Sequence, residues 1–191
     1  MAIKHSSYPD KRNYTNLTPN ELKQLIRNAR ENHLATLDLS RSNLRDLPDE
    51  LWTLSGLQFL NLGNQSSPLD DILGSPNYIT QIPRAIEGLT ALQLLDLSYL
   101  KIDTVSGESP LNLPNLNLLN LIDSAFSHLP NAFLIPSLIY LDLSFSRHLR
   151  TLPDRISDLQ NLKSLDLRYS GIESFPPLYP QAHQALSAGH P

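Results

Sequence analysis

Six acidic or amide side chains recur between pairs of leucines, and their type and spacing make them the first candidates for chemistry. They are Asp38, Asn61, Asp96, Asn120, Asp142 and Asp166. Carboxylates held a few ångströms apart could serve as general acid and general base, or could bind a cation. The alternative is that they are ordinary strand residues with solvated side chains. We favour this alternative and predict no catalytic residue among them.

Other reactive motifs are missing from the sequence. The chain has no cysteine, no glycine-rich phosphate-binding loop and no His-Glu-x-x-His motif, and its six histidines share no metal-ligand spacing. A Ser-His-Asp triad stays open, because its members need not be neighbours in sequence. We therefore expect a protein that is not an enzyme and that uses no cofactor or metal.

Length and charge restrict the class of partner. The 191 residues suffice for one domain or a single elongated array. Fifteen Lys and Arg against 19 Asp and Glu give a net charge of −4, which offers no basic surface for nucleic acid. The sequence contains no run of about 18 consecutive apolar residues, so we expect no transmembrane helix. Its first residues lack the apolar segment of a secretory signal. We expect no nucleic-acid or membrane partner, and a monomer when free.

A leucine repeat decides the fold class. The chain contains 40 leucines, about one residue in five. The phrase Leu-x-x-Leu-x-Leu occurs six times, and it begins at Leu34, Leu57, Leu92, Leu116, Leu138 and Leu162. The steps between these starts are 23, 35, 24, 22 and 24 residues. Five units continue as apolar-x-x-apolar-Pro, whereas the third has Ser106 in place of the proline.

The spacing inside each unit predicts its local structure. Alternating Leu-x-Leu suits a short strand with one buried face. In the second half of a unit, such as residues 49–54 or 154–159, apolar residues three apart fit a helical or 3₁₀ turn. One unit cannot bury its leucines alone, so stacked units must share a core.

At these residues the sequence resembles the leucine-rich-repeat family, in its form of about 23 residues per unit. The resemblance covers residues 34 to about 178. It implies an α/β solenoid with a parallel concave sheet, short helical or 3₁₀ turns on the convex side and an N-terminal capping helix. The family usually has Asn at the ninth motif position, where its amide bonds adjacent turns.

Serine replaces that asparagine in four units, at Ser42, Ser124, Ser146 and Ser170. The third unit has Leu100 there, and the second unit is interrupted. Because a hydroxyl offers one donor where an amide offers two, we expect a thinner hydrogen-bond ladder. This should cost stability without changing the fold.

Irregular stretches set the expected boundaries. Twelve residues beyond the repeat length fall around 65–76, where Pro68, Gly74 and Pro76 predict an insertion loop. Thr18-Pro-Asn-Glu21 predicts a capping box and a helix from about Pro19 to Glu31. The expected organisation is a flexible segment (1–17), a capping helix (18–33), six repeats (34–178) and a tail (179–191).

Apolar and aromatic side chains recur at two motif positions that point to water. The residue before the second motif leucine is Thr36, Phe59, Leu94, Leu118, Tyr140 and Ser164. Two residues beyond the third motif leucine come Arg41, Asn64, Tyr99, Asp123, Phe145 and Tyr169. An exposed apolar patch rimmed by charge is typical of a protein-binding surface. The alternative is that these side chains pack against each other or against the insertion.

The predicted partner-binding residues lie on the concave face: Phe59, Leu94, Asp96, Tyr99, Leu118, Asp123, Tyr140, Asp142, Phe145, Asp166, Arg168 and Tyr169. They predict a non-catalytic module that binds a protein partner, and the aspartates favour a partner with basic residues. Binding would scaffold the partner or, if the partner is an enzyme, inhibit it by occlusion.

The resemblance extends to bacterial leucine-rich-repeat effectors delivered into host cells. It implies an intracellular, cytoplasmic protein, or one secreted into a host cell by a non-classical route. Two other functions stay open. One is the targeting domain of a larger enzyme whose catalytic part is missing from this chain. The other is a hydrolase that uses the concave carboxylates, which we favour least.

Overall fold

The computed structural model describes residues 16–64 and 75–174 of the chain. The expected flexible segment, insertion loop and tail lie wholly or mostly outside the described residues. Within them, one α-helix, α1 (Pro19–Glu31), precedes a series of short strands. No helix in this part of the chain is long and apolar enough to cross a membrane.

The strands repeat once or twice per unit and are all paired in parallel. They are β1 (Thr36–Asp38), β2 (Phe59–Asn61), β3 (Gln81–Ile82), β4 (Leu94–Asp96), β5 (Thr104–Val105), β6 (Leu118–Asn120), β7 (Tyr140–Asp142) and β8 (Ser164–Asp166). Six of them form one sheet in the order β1-β2-β4-β6-β7-β8. Its register aligns equivalent motif positions, as where Leu60 pairs with Leu95. The predicted α/β solenoid with a parallel sheet is confirmed.

The concave face is the side of this sheet turned away from the core. It carries the first and third residue of each strand, because successive side chains of a strand point to opposite faces. The middle residues, all leucines, point into the core.

A second parallel sheet joins β3 to β5, and the repeat pattern does not predict it. Both strands lie in the second half of their units, where the motif reads apolar-x-x-apolar. An isolated bridge joins His128 to Thr151 at the corresponding place of two later units. A residue that precedes proline is biased towards extended backbone, so the stretch ending at Ile82 stays extended and can pair.

Proline begins the turns on the convex side. In the described residues, 3₁₀ helices run over Asp49–Thr53, Arg84–Gly88, Asn131–Phe133 and Asp154–Asp158, and the residue before each is a proline in extended conformation. Proline suits this position because its φ is fixed and a missing N–H at a helix start removes no helical hydrogen bond. The predicted short 3₁₀ turns are confirmed.

The third unit has Ser106 in place of this proline, and polar contacts tie its convex segment instead. Arg84 Nη2 donates to Pro110 O at 3.0 Å, and Asn112 N donates to Glu87 Oε1 at 2.8 Å. These bonds link two neighbouring units across a stretch that lacks a regular turn.

The motif leucines form one continuous core. Leu39, Leu60, Leu95 and Leu143 are completely buried. Such burial stabilises the folded state by about 2 kcal/mol per side chain. The ends differ: Leu34 is 39% exposed, so its predicted place in the core is wrong. No strand lies outside β1 among the described residues, and a terminal unit is therefore covered on one side less than an internal one.

Helix α1 covers the first unit with an apolar stripe of Leu22, Ile26 and Ala29, all buried. The predicted capping box is present: Glu21 N donates to Thr18 Oγ1 at 3.3 Å, and Thr18 N donates to Glu21 Oε2 at 2.8 Å. These bonds satisfy backbone donors that the first helical turn leaves unpaired.

Asn77 occupies the ninth motif position of the second unit, although the insertion separates it from Leu62. Its buried side chain bonds two neighbouring turns. Nδ2 donates to Leu39 O and Leu62 O, both at 2.8 Å. Oδ1 accepts from Ser42 N at 3.0 Å and from Leu44 N at 2.9 Å. The second unit therefore keeps the asparagine that sequence reasoning considered interrupted.

The same residue closes the insertion through a pair of hydrogen bonds with Asn64. Asn77 N donates to Asn64 Oδ1 at 2.5 Å, and Asn64 Nδ2 donates to Asn77 O at 2.8 Å. We call this pair the Asn64–Asn77 clasp. It brings the two ends of the insertion together on buried, fully bonded side chains.

The serine units carry the thinner ladder that the sequence predicts. Ser146 Oγ lies 3.0 Å from Ser124 Oγ, accepts from Ser124 N at 3.2 Å and donates to Leu121 O at 3.4 Å. Both serines are buried. Their contacts reach a single neighbouring turn, whereas those of Asn77 reach the turns of two units.

Candidate functional site

The acidic and amide column has a structural role at every strand of the six-stranded sheet. Each side chain accepts a hydrogen bond from the backbone N–H two residues further on, at distances from 2.9 to 3.1 Å. Asp and Asn favour this local turn because their short side chains reach their own backbone. The bond ends each strand and fixes the direction in which the chain leaves the sheet.

Burial overturns the expectation that this column is solvated. Asn61, Asp96 and Asn120 are buried, whereas Asp142 and Asp166 are only partly covered. Asp96 Oδ2 also accepts from Asn120 Nδ2 at 3.1 Å. Asp96, predicted to contact the partner, is therefore enclosed between neighbouring strands and has little surface to offer.

The last two aspartates of the column have different environments. Arg168 donates to Asp166 from Nε and Nη2, the latter at 2.5 Å. Burial raises the pKa of Asp166, but the Arg168 hydrogen bonds and charge outweigh it and hold that pKa below its ordinary value. Burial raises the pKa of Asp142, and the nearby Asp166 charge adds to the rise against the Ser144 hydrogen bond. The ionised form of Asp142 therefore lowers the stability of the folded chain.

The apolar column is only partly exposed. Phe59, Leu94, Leu118 and Tyr140 follow one another in the parallel register, as predicted. The first three are half-buried, whereas Tyr140 is 44% exposed. Strands in a sheet lie about 4.8 Å apart, so neighbouring large side chains cover each other. The expectation that all four stand in water is thus wrong for three of them.

The column after the strands has an unusual backbone. Tyr99, Asp123, Phe145 and Tyr169 have φ between 52° and 61°, as Arg41 has at 50°. This left-handed region costs a residue with a Cβ about 1–2 kcal/mol. The backbone holds it in place: Tyr99 N donates to Ile122 O at 2.7 Å, and Phe145 N donates to Arg168 O at 2.8 Å.

Three exposed aromatic residues lie on the last two strands of the six-stranded sheet or directly after them. Phe145 and Tyr169 stack with their centroids 4.8 Å apart and their planes 25° apart. Phe145 is 41% exposed, Tyr169 is 60% exposed, and Tyr140 lies at the start of β7. We call these three residues the aromatic cluster. Of the predicted site residues, it contains the large apolar side chains that solvent reaches most.

The remaining predicted residues lie beside this cluster or further along the face. Tyr99 and Asp123 are half-buried, and Lys101 Nζ approaches Asp123 Oδ2 at 3.8 Å. Arg168 is exposed and paired with Asp166. The structure thus separates a covered N-terminal part of the face from an open C-terminal part.

Sequence reasoning missed one exposed aromatic residue, Tyr78. Its ring is 47% exposed and lies 4.8 Å from Arg45 Cζ, at cation–π distance. The repeat resumes at Asn77 after the insertion, and Tyr78 is the next residue of that unit. The insertion shifts both residues out of the regular spacing, so the sequence pattern did not show this position.

No group of three or more His, Asp or Glu side chains in the described residues has the geometry to hold a metal ion. The carboxylates of the concave face are instead bonded to backbone N–H groups, to Asn120 or to Arg168. The site is therefore described by its rings and by the charges next to them.

Comparisons with known proteins give likenesses in sequence and in fold. No protein-family model matches the chain. Over 80% of this chain, it is 28% identical to an adenylate cyclase of Podospora anserina. Over 82% of this chain, it is 28% identical to the disease resistance protein RPS4B of Arabidopsis thaliana. The disease resistance protein UNI of the same plant is 33% identical over 50% of the chain. The chain spans only 8–12% of the length of these relatives.

Solved structures agree on the architecture. One is a leucine-rich repeat protein from Bacteroides thetaiotaomicron VPI-5482, with 22% identity and a TM-score of 0.55 over 70% of this chain and 16% of that one. Another is a TDR receptor, with 22% identity and a TM-score of 0.51 over 82% of this chain and 29% of that one. Together with the six-fold motif and the parallel sheet, these likenesses show that the chain has the leucine-rich-repeat fold.

Proposed function

We propose that this chain is a non-catalytic interaction module that binds a protein or peptide through the C-terminal part of its concave face. The observation that carries the proposal is the aromatic cluster, whose three rings are each more than two-fifths exposed. Tyr and Phe at such positions commonly supply the largest part of binding energy in protein interfaces.

The rings are held in place before any partner arrives. Tyr140 lies on β7, which is paired with β8 in the six-stranded sheet. Phe145 and Tyr169 follow these two strands and support each other by stacking. A surface that is already ordered loses little conformational entropy on binding. Phe145 and Tyr169 also have a left-handed backbone that costs free energy, as binding residues often do.

The comparisons support an interaction role only through what the similar proteins are called. A receptor is among the solved structures with this fold, and disease resistance proteins are among the relatives. Fold alone does not fix function, so the proposal depends on the aromatic cluster. The finer hypotheses stay proposals that the effector resemblance motivates: an enzyme partner that is inhibited by occlusion or scaffolded, a bacterial origin, and a cytoplasmic or host-cell location.

A second candidate is that the chain is the targeting part of a longer protein. It is favoured by the share of the relatives that the chain spans, such as 8% of the adenylate cyclase. The mass of the native protein decides between the two. A mass that matches 191 residues removes the second candidate, and a larger mass supports it.

The test of the binding face uses peptides selected on the purified chain from a random-peptide phage library. Tyr140→Ala and Phe145→Ala should each weaken binding of the selected peptides by about 2 kcal/mol, roughly thirty-fold, with little change in Tm. Tyr78→Ala is the matched control, because Tyr78 is equally exposed but lies outside the cluster. Equal losses in all three variants, or losses in none, would reject the proposed face.

A further inference from the structure

Asp142 on the concave face differs from Asp96 in the hydrogen bonds that its carboxylate accepts. Asp96 accepts from Ser98 N on one oxygen and from Asn120 Nδ2 on the other. Ser144 N donates to Asp142 Oδ1, and the Ser144 side chain also hydrogen-bonds this carboxylate. Both donors come from one residue, so the carboxylate keeps acceptor capacity for a donor from outside the chain.

The cationic side chain closest to Asp142 along the sheet is already engaged. Asp166 pairs with Asp142 in the register of β7 and β8, and Arg168 directs Nε and Nη2 to Asp166. On the other side, the Asn120 amide is turned to Asp96. The Arg168 charge also acts on Asp142, but the Arg168 hydrogen bonds go to Asp166. In the described part of the chain, Asp142 is therefore a carboxylate without a direct ion pair.

The aromatic cluster belongs to the same two units as this charge. Tyr140 lies two residues before Asp142 on the same strand, so both side chains point to the same face. Phe145 and Tyr169 follow the ends of β7 and β8, with their rings stacked. A carboxylate with exposed rings next to it suits a cation with a flat apolar surface.

We propose that Asp142 and the aromatic cluster bind an arginine side chain of the partner. This inference rests on the proposed function and adds the chemistry of the ligand. Arginine fits better than lysine because its planar guanidinium can donate to a carboxylate while it stacks on aromatic rings. An acidic segment would meet uncompensated charge at Asp142, and a purely apolar segment would leave the charge buried without a partner.

The experiment uses the selected peptides and the full chain. Each arginine of a binding peptide is replaced by citrulline, which keeps the shape and removes the charge, and binding is measured by calorimetry. We expect one arginine whose replacement weakens binding about tenfold or more, with lysine intermediate. Asp142→Asn should abolish most of that difference between arginine and citrulline, because the two changes remove the same interaction.

Asp142→Asn is a matched variant that this fold accommodates. Asn61 and Asn120 occupy the same column and make the same bond to the backbone N–H two residues on. The variant therefore removes the charge and keeps the turn. Asp38→Asn is the control, since it makes the same change at the far end of the sheet and should leave the arginine preference intact.

The outcomes separate the two proposals. Peptides that require Phe145 but carry no arginine, or that bind Asp142→Asn with an unchanged preference for arginine over citrulline, overturn the arginine site and leave the binding face standing. Peptides that bind without requiring the aromatic cluster overturn both.

Discussion

The two ends of the concave face use the same motif positions in opposite ways. In the N-terminal part, Asn61, Asp96 and Asn120 are buried and bonded, and the half-buried Phe59 and Leu94 cover each other. In the C-terminal part, Tyr140, Phe145 and Tyr169 are exposed. At the N-terminal end these side chains are buried and stabilise the fold. At the C-terminal end the aromatic side chains stay accessible to a partner.

The largest effect should come from the core, where the two ends are alike. Leu60→Ala and Leu141→Ala should each lower the free energy of unfolding by about 2–5 kcal/mol, since each leaves a cavity. Both leucines are at most 1% exposed. Urea unfolding measures both values. A loss at Leu141 as small as that of an exposed ring would show that the division into core and face is wrong.

The ladder should separate the two ends. Asn77→Ala removes four hydrogen bonds and leaves buried donors and acceptors unpaired, so we expect a loss of about 2–3 kcal/mol in the free energy of unfolding. Ser146→Ala removes weaker contacts to one turn, and we expect about 1 kcal/mol. The same urea titrations compare them, and equal losses would contradict a ladder that is thinner at Ser146 than at Asn77.

The strained backbone of the aromatic cluster gives a smaller effect. Both Phe145→Asn and Phe145→Ala remove the ring, but Asn tolerates left-handed backbone better than Ala does. Phe145→Asn should therefore be the more stable variant by about 1 kcal/mol or less, by thermal unfolding. A more stable Ala variant would mean that position 145 does not keep its left-handed conformation without the ring.

The smallest effect is electrostatic, and its sign distinguishes two neighbours. The pKa of Asp142 is raised in the folded chain, so its charge lowers stability once the pH exceeds the ordinary Asp pKa. Asp142→Asn should raise the free energy of unfolding at pH 7, and the gain should vanish below about pH 3.

Asp166 should behave in the opposite way, because its pKa is lowered in the folded chain. Its charge contributes stability above the ordinary Asp pKa, and this contribution is lost as the pH falls through the lower folded pKa. Asp166→Asn should therefore lower the free energy of unfolding at pH 7. Urea titrations at a series of pH values measure both variants, and the same sign for both would contradict the two environments described above.

The sequence predicts the fold well because its spacing alone determines which side chains the core buries. The register of the six-stranded sheet, the 3₁₀ turns after proline and the capping box at Thr18 all follow from local pattern, whereas the pairing of β3 with β5 does not. Asn77 could not be recognised in the same way, since the insertion moves it out of step. Leu34 shows a related limit: its spacing fits the core, but the burial of an end residue depends on what lies beyond it.

The site was harder to predict because exposure depends on neighbours in space. Periodicity shows that Asp96 and Tyr140 lie on the same face of the sheet. It does not show that Asp96 is buried beside Asn120 whereas Tyr140 is exposed. A pattern of leucines also does not show that the backbone N–H two residues further on donates to each side chain of the column. The rings at 145 and 169 were identified as candidates, yet their stacking required the geometry of adjacent units.

The Asn64–Asn77 clasp has a consequence for engineering. The chain that joins residues 64 and 77 begins and ends at one closed pair of hydrogen bonds, so we expect that its length can change without altering the step from one coil to the next. This junction is therefore a natural splice point, at which a foreign epitope or a reporter domain could be grafted while the flanking coils keep their alignment.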